Sequence, residues 1–281
     1  MPTIVHFIDV GQGNMTLLQL ADGTIMLYDC NVTEDNAERV LAYLAKVLPR
    51  HAIDIFVNSH RDADHMRGIR RIHRVYPVGK VWDSGVTGDT PDSPEYREYM
   101  ALRREIPSVT IEALKRWNFG RTRLRVMNAK NDELPDEANA QSIVIKVEQH
   151  HPGTGNVLNG AMLTGDSDAQ TWRRSILQSY GDDDVQSSIL LASHHGSITF
   201  FDDPADERHY FVDHIKKIKP EMAVISVGPN LHGHPDPRAL ELYGKYTLGS
   251  AQGNKIFRTD QHGTIKLILK DEGGWSLAAG Q

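Results

Sequence analysis

The chain has 281 residues, 40% of them apolar and 24% charged, which is enough to bury the core of one large α/β domain or two small ones and sets aside a disordered chain. Its net charge of −6 sets aside general nucleic-acid affinity through a uniformly basic surface, while leaving room for a local basic groove. The lone Cys30 makes no internal disulfide, no apolar run approaches the ~18–20 residues of a membrane span, and Met1–Val10 reads as a strand without a basic leader flank, so the sequence reads as cytoplasmic with no membrane segment.

In chain order, Thr3–Asp9 is rich in β-branched and apolar residues and predicts a strand, broken by Gly11-Gln12-Gly13. Met15–Leu20 and Thr24–Tyr28 predict a hairpin about Asp22-Gly23. Asn36–Leu48 carries Val40, Leu41, Leu44, Val47 and Leu48 at helical spacing. Ile53–Val57 reads as a buried strand, followed by a polar loop, a helix to about Arg74 and a strand at Val78–Trp82. From Asp83 to Glu137 the pattern weakens: a loop at Asp89–Ser93, a helix over Pro94–Glu105 and a strand at Arg121–Met127, the best place for an inserted or lid element at about 83–137. Strands are then expected at Ser142–Glu148, Gly160–Leu163, Ser187–Ala192 and Met222–Val227, and helices at Ala169–Gln178, Glu207–Lys219 and Asp236–Tyr243. Lys255–Arg258 and Thr264–Leu269 are expected to close as a hairpin around Gln261-His262-Gly263. No repeat of 20–50 residues is present. The whole predicts a single α/β (α+β) domain over 1–281, two related halves whose sheets lie face to face with helices outside.

Four metal-binding side chains fall within six positions after the Ile53–Val57 strand: His60, Asp62, Asp64 and His65. Neutral imidazole and carboxylate suit zinc, iron or manganese, and a loop at a strand end is where a rigid scaffold presents such groups. A polar turn with Asp64 as a helix cap explains any one of them but not the cluster. Three further islands each follow an apolar strand: Thr164-Gly165-Asp166, Ser193-His194-His195-Gly196-Ser197 and His232-Gly233-His234-Pro235. Gly11-Gln12-Gly13 is a turn that lets its backbone approach the candidate metal site closely, since glycine lacks Cβ, and its spacing is not that of a dinucleotide fingerprint.

With these pieces assembled, the sequence resembles the metallo-β-lactamase superfamily, and within it the soluble hydrolase domain of ComEC-type competence (DNA-uptake) proteins. The resemblance is carried by Phe7-Ile8-Asp9-Val10-Gly11-Gln12-Gly13-Asn14, the loop 60–65, Asn139-Ala140-Gln141-Ser142, Leu163-Thr164-Gly165-Asp166, Ser193-His194-His195-Gly196-Ser197, and Ser226-Val227-Gly228 followed by His234-Pro235. It implies a four-layer αββα sandwich with metal along one edge. It also implies that His60 and Asp62 bind a first ion, that Asp64, His65 and His194 bind a second, and that Asp166 bridges them. Asp62 stands where the superfamily usually has histidine, and Asn139 lies near the place of a further first-site histidine; both leave occupancy at one or two divalent ions, zinc first with manganese or iron as alternatives.

The implied function is a phosphodiesterase or nuclease on DNA or RNA, in which divalent ions lower the pKa of a shared water to roughly 7 and clamp phosphate oxygens. Asp64 is catalytic on this reading. His234 is the candidate acid with His195 and His232 behind it, and Asn139, Ser197 and His232 are candidate substrate contacts. Arginines in 67–74 and 97–104, and Arg121, Arg123 and Arg125, are candidates to meet a phosphate backbone. Two alternatives stay open: a β-lactam, lactone or thioester hydrolase on the same site, and a non-catalytic metal-binding or sensing module.

Overall fold

The computed structural model describes residues 1–85, 93–202 and 209–280, built on two large sheets. The first has eight strands in the order Trp275–Ala278, Ile265–Leu269, Thr3–Phe7, Thr16–Gln19, Ile25–Tyr28, Ile53–Val57, Val78–Asp83 and Ser108–Thr110. The second has seven, in the order Ile256–Arg258, Met222–Ile225, Ile189–Leu191, Val157–Leu163, Val144–His150, Thr122–Asn128 and Arg116–Phe119. Each sheet is antiparallel over one part and parallel over the other, as expected of two related halves.

Period-two alternation places one face of every long strand between the sheets. Val5, Phe7, Met26, Tyr28, Ile55 and Val57 from the first sheet meet Leu124, Val126, Ile145, Val147, Leu163 and Val224 from the second in one buried core. The outer faces are covered by helices. Ala37–Val47, Ile69–Val75 and Pro94–Glu105 bury Val40, Leu44, Ile69, Ile72, Tyr99 and Leu102 against the first sheet. Asp213–Ile218 and Pro237–Tyr246 cover the second, with Ile215, Ile218, Ala239 and Tyr243 inward. This is the expected αββα sandwich.

The structure departs from the sequence expectations at several elements. Ile256–Arg258 and Ile265–Leu269 do not form a hairpin: the first pairs parallel with Met222–Ile225 and the second antiparallel with Thr3–Phe7. The short helix Thr259–His262 carries the chain from one sheet to the other, so that each strand pairs with a largely buried strand of its own sheet, Met222–Ile225 for the first and Thr3–Phe7 for the second. The helix expected over Ala169–Gln178 is interrupted by a wider turn at Trp172–Ile176. The helix expected from Glu207 runs over Asp213–Ile218, its expected start lying partly outside the described residues, as does most of the loop expected at Asp89–Ser93. In the stretch 83–137, Pro94–Glu105 packs on the first sheet, Ser108–Thr110 is that sheet's edge, and Arg116–Phe119 and Thr122–Asn128 belong to the second. Among the described residues no helix is long and apolar enough to cross a membrane.

Candidate metal centre

Several strands end at the same rim of the sandwich. Ile53–Val57 delivers Asn58, Ser59 and His60, after which a single 3₁₀ turn over Ala63–His65 closes with the His65 amide donating to the Asp62 carbonyl. Val157–Leu163 leads to Asp166 and Ile189–Leu191 to His194 and His195. His194 and His195 adopt φ of +50° and +54°, and Asp29, just past the end of Ile25–Tyr28, has φ +59°. Left-handed backbone at non-glycine residues costs on the order of 1–3 kcal/mol each and concentrates at functional sites. Here it turns consecutive side chains into one place.

The side chains converge. His60, His65 and Asp166 form one set whose ligand atoms all lie within 4.8 Å of one another, and Asp64, His65 and His195 form another. His65 Nε2 lies 3.1 Å from Asp166 Oδ1, and His195 Nε2 lies 3.2 Å from Asp64 Oδ2. His60 Nε2 is 3.5 Å from Asp62 Oδ2 and 3.7 Å from Asp166 Oδ2. Behind these atoms, the other ring nitrogens are engaged. His65 Nδ1 donates to Asp29 Oδ2 at 2.7 Å and His195 Nδ1 donates to the Ser226 carbonyl at 2.9 Å. The Ser59 hydroxyl donates to Asp29 Oδ2 at 2.8 Å, so its oxygen is left to accept from His60 Nδ1 at 2.9 Å. Each imidazole therefore carries its proton on Nδ1 and turns the Nε2 lone pair into the site. The Nε2 atoms of His60, His65 and His195 and Asp166 Oδ1 are buried without a hydrogen-bond partner. Such orphans are costly unless something satisfies them, and three imidazole lone pairs beside carboxylates are a donor set for a divalent cation. The residues fit one.

The electrostatics agree. Burial alone would raise Asp166 and Asp64, but the imidazoles around them, His65 foremost, hold both well below the usual carboxylate range. Burial alone would lower His65, but Asp166, Asp29 and Asp64 push it well up, and His195 is raised over the same burial effect by Asp166 and Asp64. Both directions record the attraction between buried carboxylates and the positive charge of protonated imidazoles beside them, a charge that a divalent cation would supply in place of the Nε2 protons. Burial and the neighbouring imidazoles bring His234 down to about 4, and burial lowers His194.

The geometry differs from the sequence expectation within the 194–195 pair. His195, expected as an acid candidate, lies in the set with Asp64 and His65, whereas His194 and Asp62, both expected as ligands, lie in neither set. His194 Nε2 is 3.7 Å from Asp166 Oδ2, and its Nδ1 is shared with Thr199 Oγ1 at 3.1 Å and Asn139 Nδ2 at 3.4 Å. Asp62 stands at the solvent side of His60 with its side chain 47% exposed. Asn139 has a buried Oδ1 without a partner. Ser197, expected as a substrate contact, is buried and its hydroxyl is engaged by Thr199. His234 lies beside His194 with ring centroids 5.1 Å apart, and His232 continues the row at 5.9 Å from His234. Of the arginines considered, Arg67 is held by Glu95 and Asn31, and Arg125 by Glu148 and Asp184. Sequence reasoning missed Asp29, Ser59 and Ser226, which orient the imidazoles. Asp29 carried a readable signal, an acidic residue directly after the apolar strand Ile25–Tyr28, much as Asp166 follows Val157–Leu163 by three positions.

A profile of the metallo-beta-lactamase superfamily matches residues 8–158, which include the 60–65 loop. A search of curated proteins finds no match. Among solved structures, the metallo-beta-lactamase fold protein YhfI from Bacillus subtilis superposes with a TM-score of 0.54 at 12% identity, over 92% of this chain and 97% of that one. Igni18, a metallo hydrolase from the archaeon Ignicoccus hospitalis, gives 0.53 at 15% identity over 94% and 98%. CmlA, a diiron beta-hydroxylase from Streptomyces venezuelae, gives 0.57 at 13% identity; the match covers 95% of this chain but 54% of CmlA, so the chain spans about half that enzyme's length. At these identities the structures attest the fold alone, while the profile reaches over more than half of the sequence. The αββα sandwich, the rim of converging imidazoles and carboxylates, and the profile match agree: the chain belongs to the metallo-beta-lactamase superfamily.

Proposed function

We propose that the chain is a metal-dependent phosphodiesterase or nuclease acting on DNA or RNA, built as one catalytic domain. The observation that carries the hydrolase reading is the set of unpartnered Nε2 atoms of His60, His65 and His195 aimed at Asp166. His60, Asp62, Asp64, His65, Asp166 and His195 would hold one or two divalent ions, which would supply Lewis acidity and activate water at neutral pH. Zinc suits the two-imidazole half, and the carboxylate-rich half around Asp62 also suits manganese or iron.

The chain's own residues do the rest. Asp29 and Ser59 hold His65 and His60 in register. Asn139 and His194 face each other beside Asp166, placed to grip a non-bridging phosphate oxygen. His234, one ring further out, is placed to meet the leaving-group oxygen, and His232 the substrate beyond it. The extension to nucleic acid rests on the resemblance to the competence-type hydrolase domains.

The test is turnover of labelled single- and double-stranded oligonucleotides, a β-lactam and a lactone by Zn²⁺- or Mn²⁺-loaded protein, with Asp166→Ala in parallel. Phosphodiester cleavage lost by about 10³-fold or more in Asp166→Ala is the expected result, since loss of several kcal/mol of Lewis-acid stabilisation is worth that much. Lactone or β-lactam turnover without phosphodiester cleavage would replace the phosphodiesterase reading, and metal-loaded protein inert to every substrate would leave a non-catalytic metal-binding or sensing module.

A further inference from the structure

A row of imidazoles leads from the metal centre to solvent. His195 and His194 have ring centroids 6.1 Å apart, His194 and His234 5.1 Å, and His234 and His232 5.9 Å, the last pair inclined by only 19°. Beside its outer end stands Leu231, at 103% relative exposure the most exposed of the large apolar side chains among the described residues. An isolated exposed leucine is ordinary, but this one sits on a braced loop. Asn230 Oδ1 accepts from the His232 and His234 amides at 2.9 and 3.1 Å, and its Nδ2 donates to the Gly228 and His234 carbonyls at 2.8 Å each. The Asp236 amide donates to the Gly196 carbonyl at 3.0 Å, tying the loop to the turn that carries His194 and His195. The fold holds Leu231 and His232 out rigidly without using them in its core.

The part of the rim beside His60 is different in kind. Beside His60, Arg61 Nη2 donates to the Asp136 carbonyl at 3.2 Å, and the neighbouring segment exposes Asp132, Glu133, Asp136 and Glu137 against one exposed lysine, Lys130. A long duplex held by its phosphates needs a cationic track, and this segment presents carboxylates. The uncharged rim offers ring faces and an aliphatic side chain, the surfaces on which unpaired bases stack. Inside a duplex both faces of a base are covered by its stacked neighbours.

We infer that Leu231 and His232, backed by His234, form a platform that stacks an unpaired nucleobase next to the scissile phosphate, so that the substrate is single-stranded. The inference rests on the phosphodiesterase reading and adds which strand state is recognised, and by what. Stacking of one base on such a surface is worth about tenfold to a hundredfold in binding.

The metal-loaded protein is given a single-stranded oligonucleotide and the same oligonucleotide with an abasic residue beside the scissile phosphate. Wild type is expected to prefer the base-bearing strand by about tenfold to a hundredfold in kcat/KM. In Leu231→Ala/His232→Ala that preference falls towards one, and His232→Phe, which keeps a ring, retains it. A wild-type preference near one, or a preference unchanged in the double variant, overturns the inference. A second readout needs no turnover: a non-hydrolysable single strand carrying 2-aminopurine should be quenched on binding wild type and not the double variant. Quenching without cleavage of any phosphodiester would sink the reaction and keep the platform; cleavage with neither quenching nor base preference would do the reverse.

Discussion

Asp29 receives hydrogen bonds from Asn14 Nδ2, from the Ser59 amide and hydroxyl, and from His65 Nδ1, all while fully buried. Its carboxylate fixes the His65 tautomer, and through Ser59 it also sets His60. Partners behind ligating histidines are worth about 10–100-fold in metal affinity. Asp29→Ala is therefore expected to weaken metal binding by about that factor, read by competition with a chromophoric chelator. Unchanged affinity would show that the surrounding packing alone holds the two rings.

At the scale of elements, the close approach of two loops controls the rim. A Cβ on Gly228 would lie 2.4 Å from Gly11 Cα and 2.7 Å from the Gln12 amide nitrogen, so only glycine fits between the two turns. The sequence marked Gly11-Gln12-Gly13 as a turn whose backbone can draw close to the metal site. That it packs against Gly228, at the base of the 228–236 loop, was not legible, because the contact joins opposite ends of the chain. Gly228→Ala is expected to cost about 1–3 kcal/mol, the scale of overpacking, seen as a lower denaturant midpoint with an unchanged m-value. It should also move the loop that carries His232 and His234, so the base preference described above should fall with it. The mistaken hairpin at 255–269 has the same origin: pairing by proximity in sequence loses to pairing with strands already buried in each sheet.

For the whole molecule, two histidines remote from the metal centre enter the fold neutral. Burial, aided by the charge of Lys266, lowers His6 to about 4, and burial among aromatic rings lowers His214 to about 3. Below pH ~6.5 the unfolded chain takes up these protons while the folded chain does not, so the unfolded state binds more protons and stability rises with pH. The contribution is complete above ~6.5 and is lost as pH falls towards about 4 at His6 and about 3 at His214. At pH 5 each should have lost about 2 kcal/mol. His214→Gln keeps a donor for the Phe200 carbonyl, which His214 Nε2 now meets at 2.8 Å, and removes the titration. Chemical denaturation at pH 7.5 and pH 5 should show the variant losing about 2 kcal/mol less than the parent, whereas equal losses would place the acid sensitivity elsewhere.

The local patterns in this chain settled much by themselves. Period-two runs ending in Asp or His, and helical spacing between them, determined a two-sheet sandwich and marked His60, Asp62, Asp64, His65 and Asp166 for one rim, because alternation and strand ends are properties of neighbouring residues. Only the tertiary structure set His194 and His195 apart in their distance to Asp64. They are adjacent and chemically identical, and which one reaches Asp64 depends on two left-handed backbone conformations and on the carbonyl of Ser226, just past the strand Met222–Ile225, which meets them only in the folded sheet. The same holds for Asp29, whose part in the site exists only because the fold sets its carboxylate against His65 and Ser59, residues that come together when the parallel strands Ile25–Tyr28 and Ile53–Val57 pair.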